Sequence, residues 1–145
     1  MKKRKLEVLE ANLDDMNPQW YESLMERLFA AGALDVTLIP AFMKKNRPAV
    51  VLQVLTKPNL RQKLLGIIFE ETTTLGIRSY LVNRYELPRE FRKVKTPYGE
   101  VTVKISRDGR GRVLNISPEY ASCLALAKKK KVPLKTIYAA TLRAA

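Results

Sequence analysis

The order of predicted strands and helices in the first half of the chain constrains the fold more than any other feature. Apolar residues alternate as in strands or recur at helical spacing, and proline or glycine punctuates the boundaries. The predicted elements are a strand at 5–11, a helix at 18–31, strands at 33–43 and 49–56, a helix from Pro58 to about residue 74, and a strand at 77–87. This βαββαβ order is the ferredoxin-like, split βαβ pattern. It predicts four antiparallel strands that carry both helices on one face and leave the other face open.

Pro88 interrupts this pattern, and a second unit is predicted after it. The predicted elements are a hairpin of residues 89–96 and 100–106 closed by Pro97-Tyr98-Gly99, a mobile loop at 107–112, a helix capped by Ser117-Pro118-Glu119, and a last helix after Val132-Pro133. The fold class is therefore α+β. A ferredoxin-like domain at residues 1–87 is followed by a basic hairpin and two-helix subdomain at residues 88–145.

The composition excludes several kinds of chemistry. The sequence has no histidine, which rules out imidazole acid–base catalysis, imidazole metal ligands and histidine-activated nucleophiles. The net charge of +13 is uneven, because residues 88–145 carry 14 basic and 4 acidic side chains, whereas residues 1–87 carry 13 and 10. This imbalance favours an anionic partner, either nucleic acid or a phosphorylated small molecule.

The apolar segments and the single cysteine indicate a cytoplasmic protein without membrane association. No apolar run is long enough to span a bilayer. The start, Met1 to Lys5, lacks the apolar stretch of a secretory signal. Cys123 has apolar helix neighbours and cannot form an internal disulfide, so we expect a buried, unreactive thiol.

Two adjacent acids, Asp14 and Asp15, follow the first predicted strand and precede the helix start at Asn17-Pro18. They have two structural explanations, because acids interact favourably with the positive end of a helix and accept hydrogen bonds from turn amides. They also have a functional one, since carboxylate oxygens bind hard cations such as Mg²⁺ or Mn²⁺. The residues alone leave these alternatives open.

Three groups of cations could bind phosphate, and each also has a structural explanation. Lys44, Lys45 and Arg47 lie at a predicted hairpin tip, where lysines are often only solvated. Arg78 and Arg84 share one face of the last strand of the ferredoxin-like domain, where charges also prevent edge pairing. Lys104 lies on the predicted hairpin, where a lysine on a half-buried strand is often only solvated. We expect that Asp14 and Asp15 need not lie beside the 44–47 connection within one subunit and could meet it across an interface.

A nucleic-acid-binding module is the alternative. Two helices joined at Val132-Pro133 within a basic segment would suit a helix-turn-helix. The second of these helices, however, has only Lys135 and Arg143 as charges. The four lysines at 128–131 are explained as a solvated helix end. Nucleic acid is therefore the weaker expectation.

Several motifs, in order and across nearly the whole chain, resemble one known family. They are Leu13-Asp14-Asp15-Met16-Asn17-Pro18, Met43-Lys44-Lys45-Asn46-Arg47-Pro48, Glu71-Thr72-Thr73-Thr74-Leu75-Gly76-Ile77-Arg78, Arg84, Tyr98-Gly99, Val103-Lys104 and Pro118-Glu119-Tyr120. The chain resembles the C-terminal domain of the nickel insertion protein of nickel-pincer cofactor biosynthesis, the LarC family.

The resemblance implies part of a nickel chelatase, a CTP-dependent nickel-inserting lyase. That family installs nickel, its substrate metal, in pyridinium-3,5-bisthiocarboxylic acid mononucleotide to form the cofactor of lactate racemase, and it needs CTP with Mg²⁺ or Mn²⁺. The larger N-terminal domain of the family is absent here, so we expect the fragment alone to be inactive. No catalytic residue is assigned.

Within the matched motifs, residue chemistry assigns binding roles. Asp14 and Asp15 are the expected metal ligands, directly or through water. The expected phosphate contacts are Lys44, Arg47, Arg78, Arg84 and Lys104. Because the candidate residues lie on distant strands and the sheet has an open face, we expect a homo-oligomer, a trimer or a hexamer built from two trimers.

Overall fold

The computed structural model describes residues 1–145, which divide into two compact units. One unit comprises residues 4–84, and the other comprises residues 1–3 together with residues 85–145. The boundary predicted at Pro88 falls shortly after this division. None of the helices combines the length and the apolar character needed to cross a bilayer.

The unit of residues 4–84 has the predicted βαββαβ order. Its elements are β1 (Lys2–Leu13, which begins in the other unit), α1 (Tyr21–Ala30), β2 (Asp35–Met43), β3 (Arg47–Thr56), α2 (Arg61–Glu71) and β4 (Arg78–Glu86). The four strands form one sheet in the order β2-β3-β1-β4. The α+β fold class is therefore confirmed, with antiparallel pairing of β1 to β3 and of β2 to β3.

Alternation along the central strands explains why one sheet face is buried. Leu9, Ala11 and Leu13 of β1 are almost fully buried, as are Leu52 and Val54 of β3. They pack with helix residues that recur at helical spacing, which include Leu24 and Leu28 of α1 and Leu64 and Ile68 of α2. The intervening residues of β1, among them Glu10 and Asn12, therefore project from the opposite face.

The entrance and the exit of α1 are explained by local capping chemistry. The Asn17 side chain accepts a hydrogen bond of 3.0 Å from the Gln19 amide, and Pro18 opens a short 3₁₀ turn that runs into α1. Gly32 follows the helix with φ +104°, a backbone conformation that residues with a Cβ rarely adopt. A Cβ built there would lie 2.9 Å from Cδ1 of Leu60.

Gly32→Ala is expected to lower the free energy of unfolding by about 1–2 kcal/mol, because the backbone strain and the Leu60 contact add. Gly66→Ala is the matched control: Gly66 lies inside α2, and a Cβ added there would meet no neighbouring side chain within 4 Å. That change should stabilise the protein by roughly 0.5–1 kcal/mol. Urea unfolding followed by circular dichroism measures both, and equal effects of the two alanines would contradict the argument.

The second unit contains a sheet of three strands and two helices. Its elements are β5 (Arg89–Thr96), β6 (Gly99–Arg107), β7 (Val113–Pro118), α3 (Tyr120–Lys130) and α4 (Leu134–Ala144). The hairpin of β5 and β6 and both helices are as predicted, but β7 is not. Ser117 and Pro118, which were expected to cap a helix, end this edge strand opposite Lys104 and Val103 of β6. The residue before α3 is Glu119, and its side chain makes no capping hydrogen bond.

The core of this unit contains the single cysteine. Cys123 of α3 is fully buried with Val101 of β6, Ala127 of α3 and Ile137 of α4. Burial raises the pKa of the Cys123 thiol, and the nearby Thr141 hydroxyl only partly opposes that shift. The expected burial of this thiol is confirmed.

Candidate functional site

Asp14 and Arg47 form an ion pair at one edge of the first sheet. β1 and β3 are antiparallel and Leu13 lies opposite Val50, so the end of β1 is beside the start of β3. Arg47 Nη1 lies 3.0 Å from Asp14 Oδ2. The expectation that the acids need not lie beside the 44–47 connection within one subunit is therefore wrong, because this register places them together in a single chain.

Asp15 is held by the loop between α2 and β4. The Thr73 hydroxyl donates a hydrogen bond to Asp15 Oδ1. The preceding hydroxyl, of Thr72, donates instead to the Ile68 carbonyl at 2.7 Å and so completes the end of α2. The threonine run thus has two separate tasks, one of which is to orient an acid of the candidate site.

The two carboxylates fit one mode of binding a hard cation and not another. A single chain contains no cluster of three or more acid, cysteine or histidine side chains that could hold a metal ion. Mg²⁺ commonly uses only one or two carboxylates and completes its shell with water and ligand phosphates. Asp14 uses Oδ2 for Arg47 and Asp15 uses Oδ1 for Thr73, which leaves a second oxygen on each acid for such an ion.

Lys44 and Lys45 lie in a short 3₁₀ turn between β2 and β3, next in sequence to Arg47. Both side chains are exposed. Lys45 and Asn46 have φ values of 61° and 56°, the left-handed region. This exposed turn directly precedes Arg47, the residue that pairs with Asp14.

Arg78 belongs to a polar network on the open face of the sheet, and sequence reasoning missed its partners. The Arg78 guanidinium donates to Glu10 Oε1 from Nε at 3.0 Å and from Nη2 at 2.8 Å, and to Asn12 Oδ1 at 2.7 Å. Gln53 and Tyr80 donate to Glu10 Oε2 at 2.7 and 3.1 Å. Arg78 is thus held in place by an acid, instead of being an unpaired cation.

Arg84 and Lys104 are the remaining expected phosphate contacts. Arg84 lies further along β4. Lys104 lies on β6 in the other unit, where its Nζ is 3.9 Å from a carboxylate oxygen of Glu119. The structure therefore brings together Asp14, Asp15 and Arg47, with Arg78 on the same sheet.

Hydrogen bonds to Glu10 change its ionisation. The bond from Gln53, and then those from Arg78, lower the pKa of Glu10 below its ordinary value of 4.5, against the opposing effect of burial. Burial, together with the bond to Glu10, raises the pKa of Tyr80. Because the pKa of Glu10 is lowered, its ionised form stabilises the fold at pH values above 4.5, the ordinary pKa of the group. This stability is lost as the pH falls through the pKa of Glu10 in the folded state.

Glu10→Gln should therefore destabilise the protein by about 1–2 kcal/mol near neutral pH, where charged hydrogen bonds are lost. The difference between parent and variant should shrink as the pH is lowered below 4.5. Urea unfolding over a series of pH values measures it. Glu22→Gln, an exposed acid in the first turn of α1, is the control and should show a small difference at every pH. A Glu10→Gln difference that does not depend on pH would contradict the network.

Comparisons with known proteins agree with the resemblance seen in the sequence. The family described as "Nickel insertion protein" matches residues 1–138. A pyridinium-3,5-bisthiocarboxylic acid mononucleotide nickel insertion protein of Clostridium kluyveri is 46% identical over 136 residues, which cover 94% of this chain and 34% of the relative. The protein of the same name from Thermotoga petrophila is 45% identical over 136 residues, with the same coverage.

A solved structure matches over the whole chain. It is described as "LarC2, the C-terminal domain of a cyclometallase involved in the synthesis of the NPN cofactor of lactate racemase, apo form". The TM-score is 0.93 and the identity 39%, with 99% of this chain and 98% of that chain covered. This chain spans about a third of the length of the two curated relatives. It therefore belongs to the nickel insertion protein family and corresponds to the C-terminal domain of that family.

Proposed function

We propose that this chain is the CTP- and divalent-metal-binding domain of a protein that inserts nickel into pyridinium-3,5-bisthiocarboxylic acid mononucleotide. Nickel is the substrate metal, whereas Mg²⁺ or Mn²⁺ accompanies the nucleotide. The chain spans about a third of the length of its relatives. The observation that carries the proposal is the edge at which Asp14, Asp15 and Arg47 meet, since acids for a hard cation lie there beside a cation for phosphate.

The ion pair between Asp14 and Arg47 suggests how these two residues change partners when nucleotide binds. Without nucleotide, Arg47 neutralises Asp14 at 3.0 Å. With a triphosphate and its ion bound, Asp14 and Asp15 would hold the ion, which would supply positive charge to offset that of the phosphates. Arg47 would then be free to donate to phosphate oxygens, which match its planar donor geometry. Lys44 adds a second positive charge from the neighbouring turn.

Arg78 has a different part in the proposal. Its bonds to Glu10 and Asn12 fix its orientation, so it binds phosphate without first having to be ordered. Arg84 and Lys104 remain predicted phosphate contacts. We also propose that the domain works as a homo-oligomer, a trimer or a pair of trimers, since the open sheet face has no cover within residues 4–84. A monomer mass from light scattering at micromolar concentration would contradict that assembly.

Thermal unfolding with nucleotides tests the proposal. CTP at about a hundredfold excess over its dissociation constant should stabilise the fold by roughly 2.7 kcal/mol by mass action. CTP with Mn²⁺ should raise the melting temperature more than ATP or GTP with Mn²⁺. Stabilisation of the same size by every polyanion, with affinity collapsing between low and physiological salt, would instead favour the nucleic-acid alternative.

A further inference from the structure

A groove on the outer side of α4 has the properties of a docking surface. It lies between α4 and the turn that joins β5 to β6, and it has a volume of about 680 Å³. The inner side of α4 packs into the core through Ile137. The outer side lines the groove with Ala139, Ala140 and Arg143, which recur at helical spacing, and Tyr98 of the turn forms the opposite wall.

The groove carries positive charge that the chain itself leaves without acidic partners. Lys135 and Arg143 line it, and no acidic residue does. The four acids of residues 88–145 are paired with other cations: Glu90 with Arg107, Glu100 with Lys93, Asp108 with Arg112 and Glu119 with Lys104. Acids that complement Lys135 and Arg143 therefore have to come from another molecule.

The shape of the groove suits a helix better than a small molecule. Small-molecule sites enclose most of their ligand, whereas Lys135, Ala139 and Arg143 are exposed. The alanines between the two cations have short side chains, which allow the backbone of a second helix to approach closely. Tyr98, half-buried in the wall, offers an aromatic surface to an apolar side chain of a docked helix.

The spacing of the two cations defines what the docked helix must carry. Eight residues separate Lys135 from Arg143, roughly 12 Å along a helix axis. A helix that runs along α4 therefore needs two carboxylates about seven or eight residues apart to meet both cations. No helix of this chain has them, because the acids of α1 are Glu22 and Glu26, those of α2 are adjacent, and α3 and α4 have none. A second copy of the chain is therefore not the occupant.

We infer that this groove docks an acidic amphipathic helix of another protein. Its carboxylates contact Lys135 and Arg143, and its apolar residues pack on Ala139 and Ala140 beside Tyr98. Charge complementarity of this kind steers association and fixes the register of the two helices. None of the groove residues is among those proposed to bind nucleotide and metal.

Fluorescence anisotropy with synthetic helical peptides tests this docking on the 145-residue chain. The probe is a peptide of alanine, leucine and glutamine with two glutamates about eight residues apart. Its control has the same composition but glutamates about four residues apart, and it should bind at least tenfold more weakly. Equal affinities of the two peptides, or no binding at millimolar peptide, would overturn the inference.

Variants of the chain locate the binding. Lys135→Gln and Arg143→Gln should each weaken binding of the probe peptide by tenfold or more. The matched controls Lys129→Gln and Arg110→Gln remove the same charges from exposed residues outside the groove and should leave the affinity unchanged. Equal losses in all four variants would show attraction to the overall positive charge and would contradict a docking groove.

Two further measurements separate a docked helix from a polyanion and from a contact between copies. A single-stranded oligonucleotide should not displace the probe peptide at physiological salt, and displacement would overturn the inference in favour of a polyanion. Ala139→Phe fills the groove at an exposed position and should abolish peptide binding at constant oligomer mass and constant melting temperature. A change in that mass would instead identify the groove as a contact between copies.

Discussion

Asp14→Asn is expected to weaken Mn²⁺·CTP binding by roughly tenfold to a hundredfold, the equivalent of one charge-assisted contact. In the presence of a chelator, the same variant should bind CTP as well as the parent or better. The reason is the ion pair of 3.0 Å between Asp14 and Arg47: without the carboxylate, Arg47 no longer has to give up a partner to bind phosphate. Asp15→Asn should show the metal-dependent loss without the gain, since its partner is the neutral Thr73 hydroxyl.

Titrations of each variant with Mn²⁺ and with chelator measure this difference. Asp35→Asn is the matched control, because Asp35 begins β2 opposite Leu55, at the end of the sheet remote from the Leu13–Val50 pairing. Its affinity should equal that of the parent under both conditions. Arg47→Ala and its combination with Asp14→Asn complete a double-mutant cycle. Arg47→Ala alone should weaken CTP binding with or without metal. If both asparagine variants bind Mn²⁺·CTP like the parent, the acids serve only the turn and the helix, and the ion binds elsewhere.

Ile137→Ala is expected to have the largest effect on stability, a loss of about 2–5 kcal/mol in the free energy of unfolding. Ile137 of α4 is fully buried against Val101, Cys123 and Ala127. Its truncation leaves a cavity that the packed neighbours fill only partly. Ile137→Val, which removes one methylene, should cost about 0.5–1.5 kcal/mol. Urea unfolding followed by far-ultraviolet circular dichroism measures both. An alanine variant within about 0.5 kcal/mol of the valine variant would show that the site collapses.

Local patterns were sufficient to predict most elements of the fold. Alternation in β1 and helical spacing in α1 and α2 act over a few residues, so they are readable without knowledge of the tertiary structure. The strand β7 was missed for the opposite reason. Ser117-Pro118-Glu119 is a good helix start in isolation, and only the pairing with Val103 and Lys104 makes it the end of a strand. Pro118 is tolerated because β7 is an edge strand, where a missing amide disrupts no further pairing.

The candidate site was predicted as residue types but not as an arrangement. The chemistry of Asp14, Arg47 and Arg78 is evident from their identities. Their partners depend on strand register, which no local signal gives. The even-numbered polar residues Glu10 and Asn12, among buried odd-numbered neighbours, were a readable sign of a polar sheet face. Only the placement of β4 beside β1 turns that sign into a binding network for Arg78.

The burial of Cys123 has a practical consequence for spectroscopy. Its side chain is fully enclosed and its thiol is held protonated by burial, which raises its pKa, and thiol reagents need an accessible thiolate. The natural sequence is therefore already suitable for labelling, since a cysteine introduced at Lys44 or Lys135 would be the only thiol that reacts with a maleimide. A spin label or fluorophore at Lys44 or at Lys135 would then report separately on the turn between β2 and β3 or on α4 as nucleotide is added.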